Sequence, residues 1–235
     1  MFKPKPATSE TGDPLLLTPG PLTTSKVVKQ AMLRDWGSRD AEFLRINRMV
    51  LDRIAELAGG KGTHVTVPVQ GSGTFAVEAM ITSFVPRGGK LLVLINGAYG
   101  QRAKRILEIA RRKVVVHETA EDTPPDLKKV EAILKRTPSI THVFTVHCET
   151  TSGILNPIAE IADLVARQGR RLLVDSMSAF GALEIDARKI AYDALASSSN
   201  KCLEGVPGLG FVVCREAALA QCKGVSPPPL PLCPI

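Results

Sequence analysis

The chain has 235 residues, 44% of them apolar, and a net charge of +7, enough for one large domain or two small ones around a sizeable core. No run of about 18 apolar residues is present, which argues against a membrane-spanning helix, and the opening MFKPKPATSETGD lacks the apolar stretch of a secretory signal. The basic residues are scattered without interleaved aromatics, which argues against nucleic-acid binding and leaves a surface that favours small anionic ligands.

Residues 1–13 read as a disordered arm. The segment AEFLRINRMVLDRIAELAGG (41–60) reads as an amphipathic helix closed by glycine. From there strand-like and helix-like stretches alternate. THVTVPV (63–69) precedes a glycine turn and the helical TFAVEAMITSFV. KLLVLIN (90–96) precedes QRAKRILEIARR, and KVVVH (113–117) precedes DLKKVEAILKR. THVFTVH (141–147) precedes IAEIADLVARQG, and RLLVD (171–175) follows. This alternation predicts an α/β fold with a mostly parallel sheet and helices on both faces. The strands are continuously apolar, as doubly covered strands should be. Ligands of such sheets gather at the C-terminal strand ends. The densest basic cluster, Arg111, Arg112 and Lys113, is expected to be a solvated helix end. The last segment, VSPPPLPLCPI (225–235), has five prolines in eleven residues and reads as an unstructured tail. The five cysteines form no CxxC pair and match no zinc spacing, so they are expected to be reduced thiols in a cytoplasmic compartment, with no metal.

Four features fall at predicted strand ends. QGSGTFAVEA (70–79) places Gly71 and Gly73 before a helix start, where backbone N–H groups and the hydroxyls of Ser72 and Thr74 suit a phosphate; a plain strand-to-helix turn would look the same. NGAYGQR (96–102) sets Tyr99 between glycines, able to face a flat ring or simply to be half buried. RLLVDSMSAFGA (171–182) ends an apolar strand on Asp175. That carboxylate needs a partner such as a protonated ring nitrogen, or it serves as a helix cap or magnesium ligand. SSSNKCLEGVPG (197–208) holds Lys201 in a glycine-rich bend, where a neutral amine can condense with a carbonyl compound. HCETTSG (147–153) adds the hydroxyls of Thr150 and Thr151; His147 reads as structural, and Cys202 as a packing residue. Together the features ask for one ligand with a phosphate, a flat ring, a basic ring nitrogen and an aldehyde. Pyridoxal 5′-phosphate has all four. The GxGxxG and GK[ST] fingerprints of dinucleotide and P-loop sites are missing.

With LLLTPGPLTTS (15–25) and VHCETTSGILNPI (146–158), these motifs resemble the class V aminotransferases of the fold-type I pyridoxal-phosphate enzymes, over about Pro14 to Gly224. The resemblance implies a seven-stranded, mostly parallel sheet and a cofactor-binding large domain over 14–224. It implies that Lys201 joins the cofactor aldehyde and moves the substrate proton. Asp175 would pair with the ring nitrogen, and Ser72, Gly73 and Thr74 would hold the phosphate. Tyr99 and Met177 would flank the ring, Thr150 would bond its 3′-oxygen, Asn200 would sit near the phosphate, and Gly20 would line the substrate side. The nearest branch moves the amino group of 2-aminoethylphosphonate to pyruvate, as a homodimer. The alternatives are an alanine–glyoxylate or serine–pyruvate transaminase, which tends to carry tryptophan at the Tyr99 position and glutamine at the Asn200 position, and an inactive cofactor-binding fragment. Cysteine desulfurases, with histidine at both positions, fit less well. Family members continue past the position of Gly224 into a small C-terminal domain, so this chain is expected to hold most of the cofactor domain and not a complete active site.

Overall fold

The computed structural model of the protein describes residues 8–222. Residues 1–7 of the arm, Gly224, Cys233 and the proline-rich tail lie outside the described residues. Residues 8–13 make a turn that bridges Thr8 to Pro14, and Lys29 pairs with Asp13.

The strands are β1 (His64–Gln70), β2 (Lys90–Ile95), β3 (Lys113–Glu118), β4 (Ile140–Val146), β5 (Arg171–Asp175), β6 (Ala194–Ser198) and β7 (Leu209–Arg215). They form one sheet in the order β1-β7-β6-β5-β4-β2-β3. All run parallel except β7, which is antiparallel to both neighbours, so the sheet is seven-stranded and mostly parallel. The helices are α1 (Lys26–Ala31), α2 (Ala41–Leu57), α3 (Gly73–Phe84), α4 (Ala98–Ile109), α5 (Leu127–Arg136), α6 (Ile158–Arg167) and α7 (Glu216–Ala220).

Successive residues of the central strands face opposite cores. Leu91, Val93 and Ile95 of β2 pack with α3 and α4, while Leu92 and Leu94 pack with α5 and α6. On β6, Ala194 and Ala196 face α3, and Leu195 faces the other layer. Those alanines let α3 lie close over β6 and β7. Two-sided burial explains why the strands read as continuous apolar runs rather than as alternating ones.

The helix read over 41–60 ends in a Schellman motif: Gly59, at φ +66°, donates to Glu56 O (2.9 Å) and Gly60 donates to Ala55 O (2.9 Å). In the basic cluster Arg111 and Lys113 are exposed, as a solvated end should be, and Arg112 departs from that reading. Arg111 adopts φ 52°, which turns the chain off α4, and the guanidinium of Arg112 donates to Val85 O (3.2 Å) and Thr82 O (3.1 Å). It supplies donors to carbonyls at the end of α3. Among the described residues, no helix is long and apolar enough to cross a membrane, and no group of three or more His, Cys, Asp or Glu side chains could hold a metal ion.

Phe144 is fully buried in the centre of β4. Phe144→Ala is expected to destabilise the chain by about 3–5 kcal/mol, read as a lower denaturant midpoint with an unchanged slope.

Candidate active site

Parallel strands and right-handed crossovers bring the ends of β1, β2, β4, β5 and β6 to one edge of the sheet. A pocket of about 430 Å³ opens there, lined by Ser72, Gly73 and Thr74 after β1, Tyr99 and Arg102 after β2, Asp175 and Met177 at β5, and Asn200 and Lys201 after β6. A groove of about 1020 Å³ lies elsewhere, along α2 and the outer end of the sheet. Arg53 and Lys61 in that groove are paired with Glu56, and no buried carboxylate lines it, so the smaller pocket is the candidate site.

The first wall of the pocket is an open helix start. Ser72 takes the N-cap position of α3 with extended backbone, but its hydroxyl makes no capping bond. The N–H groups of Gly73 and Thr74 have no acceptor among the described residues. Gly71 N–H donates to Gly208 O at 2.8 Å, which fastens this turn to the loop carrying Lys201. A side chain on Gly73 would overlap the sulfur of Met177, so Met177 packs directly under the turn.

Asp175 forms the floor. It is 3% exposed, and its Oδ1 accepts the N–H of Met177 at 2.9 Å. Burial pushes its carboxyl up to about 6. The Met177 N–H opposes that rise, the nearby charge of Glu149 adds to it, and Arg102 and Lys201 oppose it from a distance. His147 braces the same strand end: its backbone N–H donates to Asp175 O (2.7 Å), and its Nδ1 lies 3.1 Å from Ser176 Oγ. Burial lowers its pKa, which favours the neutral ring of a structural histidine.

Lys201 sits in the ten-residue connection between β6 and β7. Ser199 N–H donates to Leu209 O (3.0 Å) and Gly205 N–H to Ser199 O (2.7 Å), which closes the loop on itself. The lysine ammonium makes no ion pair or hydrogen bond among the described residues. Its side chain lies against Gly20, where a Cβ would fall 2.7 Å from Nζ. Leu22 N–H donates to Asn200 O at 3.1 Å, so the TPGP segment is tied to the lysine loop.

Eight of the residues read from the sequence therefore share the pocket: Ser72, Gly73, Thr74, Tyr99, Asp175, Met177, Asn200 and Lys201. Gly20 reaches it only through Lys201. Thr150 does not line it; its hydroxyl shares a 2.5 Å hydrogen bond with Ser178. Cys202 packs against Ser178 O at 3.6 Å. Arg102 was not singled out in the sequence. Its guanidinium lies 4.6 Å from the centre of the Tyr99 ring, and Nη1 donates to Thr74 Oγ1 at 3.3 Å. The signal was present in NGAYGQR, since Tyr99 and Arg102 are three apart on one helix face.

The chain matches the family Aminotransferase class-V over residues 23–228. It is 54% identical, over 90% of its length, to 2-aminoethylphosphonate–pyruvate transaminase of Pseudomonas aeruginosa (strain UCBPP-PA14), and covers 57% of that protein. The fold matches pyridoxamine-pyruvate aminotransferase from Mesorhizobium loti with a TM-score of 0.85 at 27% identity, over 99% of this chain and 58% of that one. Alanine–glyoxylate aminotransferase from Nostoc sp. matches with a TM-score of 0.83 at 25% identity, over 95% of this chain and 58% of that one. The chain thus spans little more than half the length of the relatives it matches.

The raised Asp175 pKa has a consequence for stability. The folded, cofactor-free chain holds that proton more tightly than the unfolded chain, so this contribution is full below about 3.8 and is lost as pH rises through about 6. Asp175→Asn cannot ionise. The cofactor-free variant is expected to match the parent near pH 4 and to exceed its stability by on the order of 1–3 kcal/mol at pH 7. Denaturant titrations at both pH values check this; a difference that does not change with pH would contradict burial as the cause.

Proposed function

The chain belongs to the aminotransferase class-V family, whose members depend on pyridoxal 5′-phosphate, and from that premise we propose that it carries the cofactor site of a transaminase moving the amino group of 2-aminoethylphosphonate to pyruvate, giving phosphonoacetaldehyde and alanine. The observation that carries the reading is one pocket in which an unpaired lysine amine, a buried carboxylate and an open helix start face each other. The substrates rest on the 54% identity to proteins of that name.

The residues fit the cofactor. The free N–H groups of Gly73 and Thr74 and the unused hydroxyl of Ser72 match a phosphate. Arg102 adds a positive charge at the same end. Asp175, disfavoured as a lone buried anion, matches a protonated ring nitrogen, and Tyr99 offers a flat face beside it. When bound, pyridoxal phosphate supplies an aldehyde that condenses with amines and a ring that accepts the electron pair released at the substrate carbon.

The protein's own groups then have separate tasks. Lys201 Nζ, in its neutral form, would be the amine that condenses with the aldehyde of the bound cofactor. Once released from the aldehyde, the same nitrogen would move a proton from the amine-bearing carbon to the former aldehyde carbon with the donor, and in the reverse direction with the acceptor. Asp175 would keep the ring nitrogen protonated through charge pairing, and that pairing would offset the burial of its own charge. Asn200, held by the Leu22 contact, keeps the lysine loop beside the phosphate end. Thr150 is assigned to the ring 3′-oxygen, which requires its hydroxyl to exchange Ser178 for the ligand. The whole protein is proposed to act in the cytoplasm as a homodimer. The large apolar side chains exposed on α1 and α2, Val27, Leu44 and Met49 among them, are consistent with a covered face.

Borohydride treatment of the chain with pyridoxal 5′-phosphate is expected to fix the label on Lys201, located by peptide mass, and Lys201→Ala is expected to take up none. Label spread over surface lysines would contradict the site. In a substrate panel, glyoxylate far outperforming pyruvate with the aminophosphonate inert would overturn the narrower assignment. Arg102→Met is expected to weaken pyridoxal 5′-phosphate binding about 10-fold while leaving phosphate-free pyridoxal within about twofold; equal losses for both would remove Arg102 from the phosphate end.

A further inference from the structure

A second carboxylate lies under the pocket, on Glu149, between β4 and α6. It is completely buried, and no lysine or arginine pairs with it among the described residues. Its donors are backbone groups. Both carboxylate oxygens lie 3.3 Å from the N–H of Tyr99, Oε2 lies 3.4 Å from the N–H of Gly100, and Oε1 accepts the hydroxyl of Thr151 at 3.4 Å. A buried anion without a cation persists only where such donors hold it, and the first turn of a helix supplies them together with a favourable dipole.

The residue at the N-cap of α4 confirms how closely the two segments fit. Gly97 has φ 166°, an extended conformation that any residue adopts, so its backbone does not demand glycine. Space does. A Cβ there would overlap Cγ of Glu149 and fall 2.8 Å from its Oε2. The volume of the missing side chain is filled by the carboxylate, which caps a helix whose own N-cap residue has nothing to cap with. Because β2 and β4 are neighbours in the sheet, this contact locks the first turn of α4, which carries Tyr99, to the loop that leads to Thr150. Its negative charge also adds to the proton affinity of Asp175.

We propose that Glu149 is a positioning residue of the cofactor site: by holding the first turn of α4 through the N–H groups of Tyr99 and Gly100, it fixes the direction in which the Tyr99 ring faces the cofactor plane. This rests on the pocket being a pyridoxal-phosphate site. Glu149 touches neither cofactor nor substrate, and its effect passes through Tyr99.

The test is a double-mutant cycle read as pyridoxal 5′-phosphate affinity, together with amide hydrogen exchange on the cofactor-free chain. Glu149→Gln keeps the volume and removes the charge. It is expected to weaken binding about 5-fold and Tyr99→Ala about 10-fold, while the double variant binds within about twofold of Tyr99→Ala alone. Losses that multiply, or a Glu149→Gln chain that binds like the parent, would overturn the proposal. In the parent chain the amides of Tyr99 and Gly100 are expected to exchange as slowly as the adjoining β2 amides, and at least about 10-fold faster in Glu149→Gln. Exchange of those two amides at the rate of an unstructured chain would overturn it even if the variant fails to fold. A parent chain that takes up no cofactor at Lys201 would count against the cofactor reading itself and leaves the exchange comparison to decide whether Glu149 holds α4.

Discussion

The pocket is organised around a carboxylate in a place where a carboxylate is unstable. Asp175 closes an apolar strand in the middle of the sheet, with one backbone N–H to hold its charge. Burial, with the nearby charge of Glu149, moves its proton affinity into the weakly acidic range. The positive groups that could relieve it, Arg102 and Lys201, stand across the pocket rather than in contact. Such a site has a deficit that a cationic ring nitrogen would fill, and this deficit is what distinguishes the pocket from the larger groove along α2. There, Arg53 and Lys61 are paired with Glu56 on the helix surface, and no buried carboxylate faces the space.

Topology explains why one lysine meets that carboxylate. Strands β5 and β6 are parallel neighbours, so Asp175 and the loop after Ser198 leave the sheet at the same edge. Strand β7 then returns antiparallel, which forces the chain to reverse within a short connection instead of a helical crossover. The Ser199–Leu209 and Ser199–Gly205 bonds close that reversal. The bend around Lys201 is glycine-rich for this reason, and it presents the amine at the rim with no competing partner. The other motifs arrive by crossovers through α3, α4 and α6, each starting at the same edge.

Much of this was legible in the sequence, and the parts that were not share a cause. The five strands from Thr63 to Asp175 carry β-branched, apolar runs that announce two-sided burial. The strand β6 does not. Its ALASS sequence has weak strand propensity, and its role becomes visible only when Ala194 and Ala196 are seen to make room for α3. Short α1, with no buried residue, had no apolar stripe to reveal it. Within the site, residues recognisable by type were found: a lysine in a bend, an aspartate after a strand, glycines before a helix. Glu149 was passed over because its partners are backbone N–H groups, which have no signature in sequence. Arg112 was read as solvated for the same reason, since it bonds to main-chain carbonyls of α3.

The floor and the walls of the pocket are built differently. Beneath it, Asn96 and Asn156 exchange amide hydrogen bonds at 2.8 and 3.1 Å, and Asn156 also donates to Val146 O at 2.8 Å. His147 and Ser176 join the next strand end. This buried polar layer has its members satisfied, which makes it rigid. The wall around Arg102 is held by contacts that a ligand can replace, on Tyr99 and Thr74. Electrostatic demand is thus set by a floor whose polar groups are satisfied, while Arg102 and Thr74 hold partners that a phosphate could replace. That division would suit the proposed cofactor, whose ring nitrogen would be held at Asp175 while its phosphate is bound by the wall.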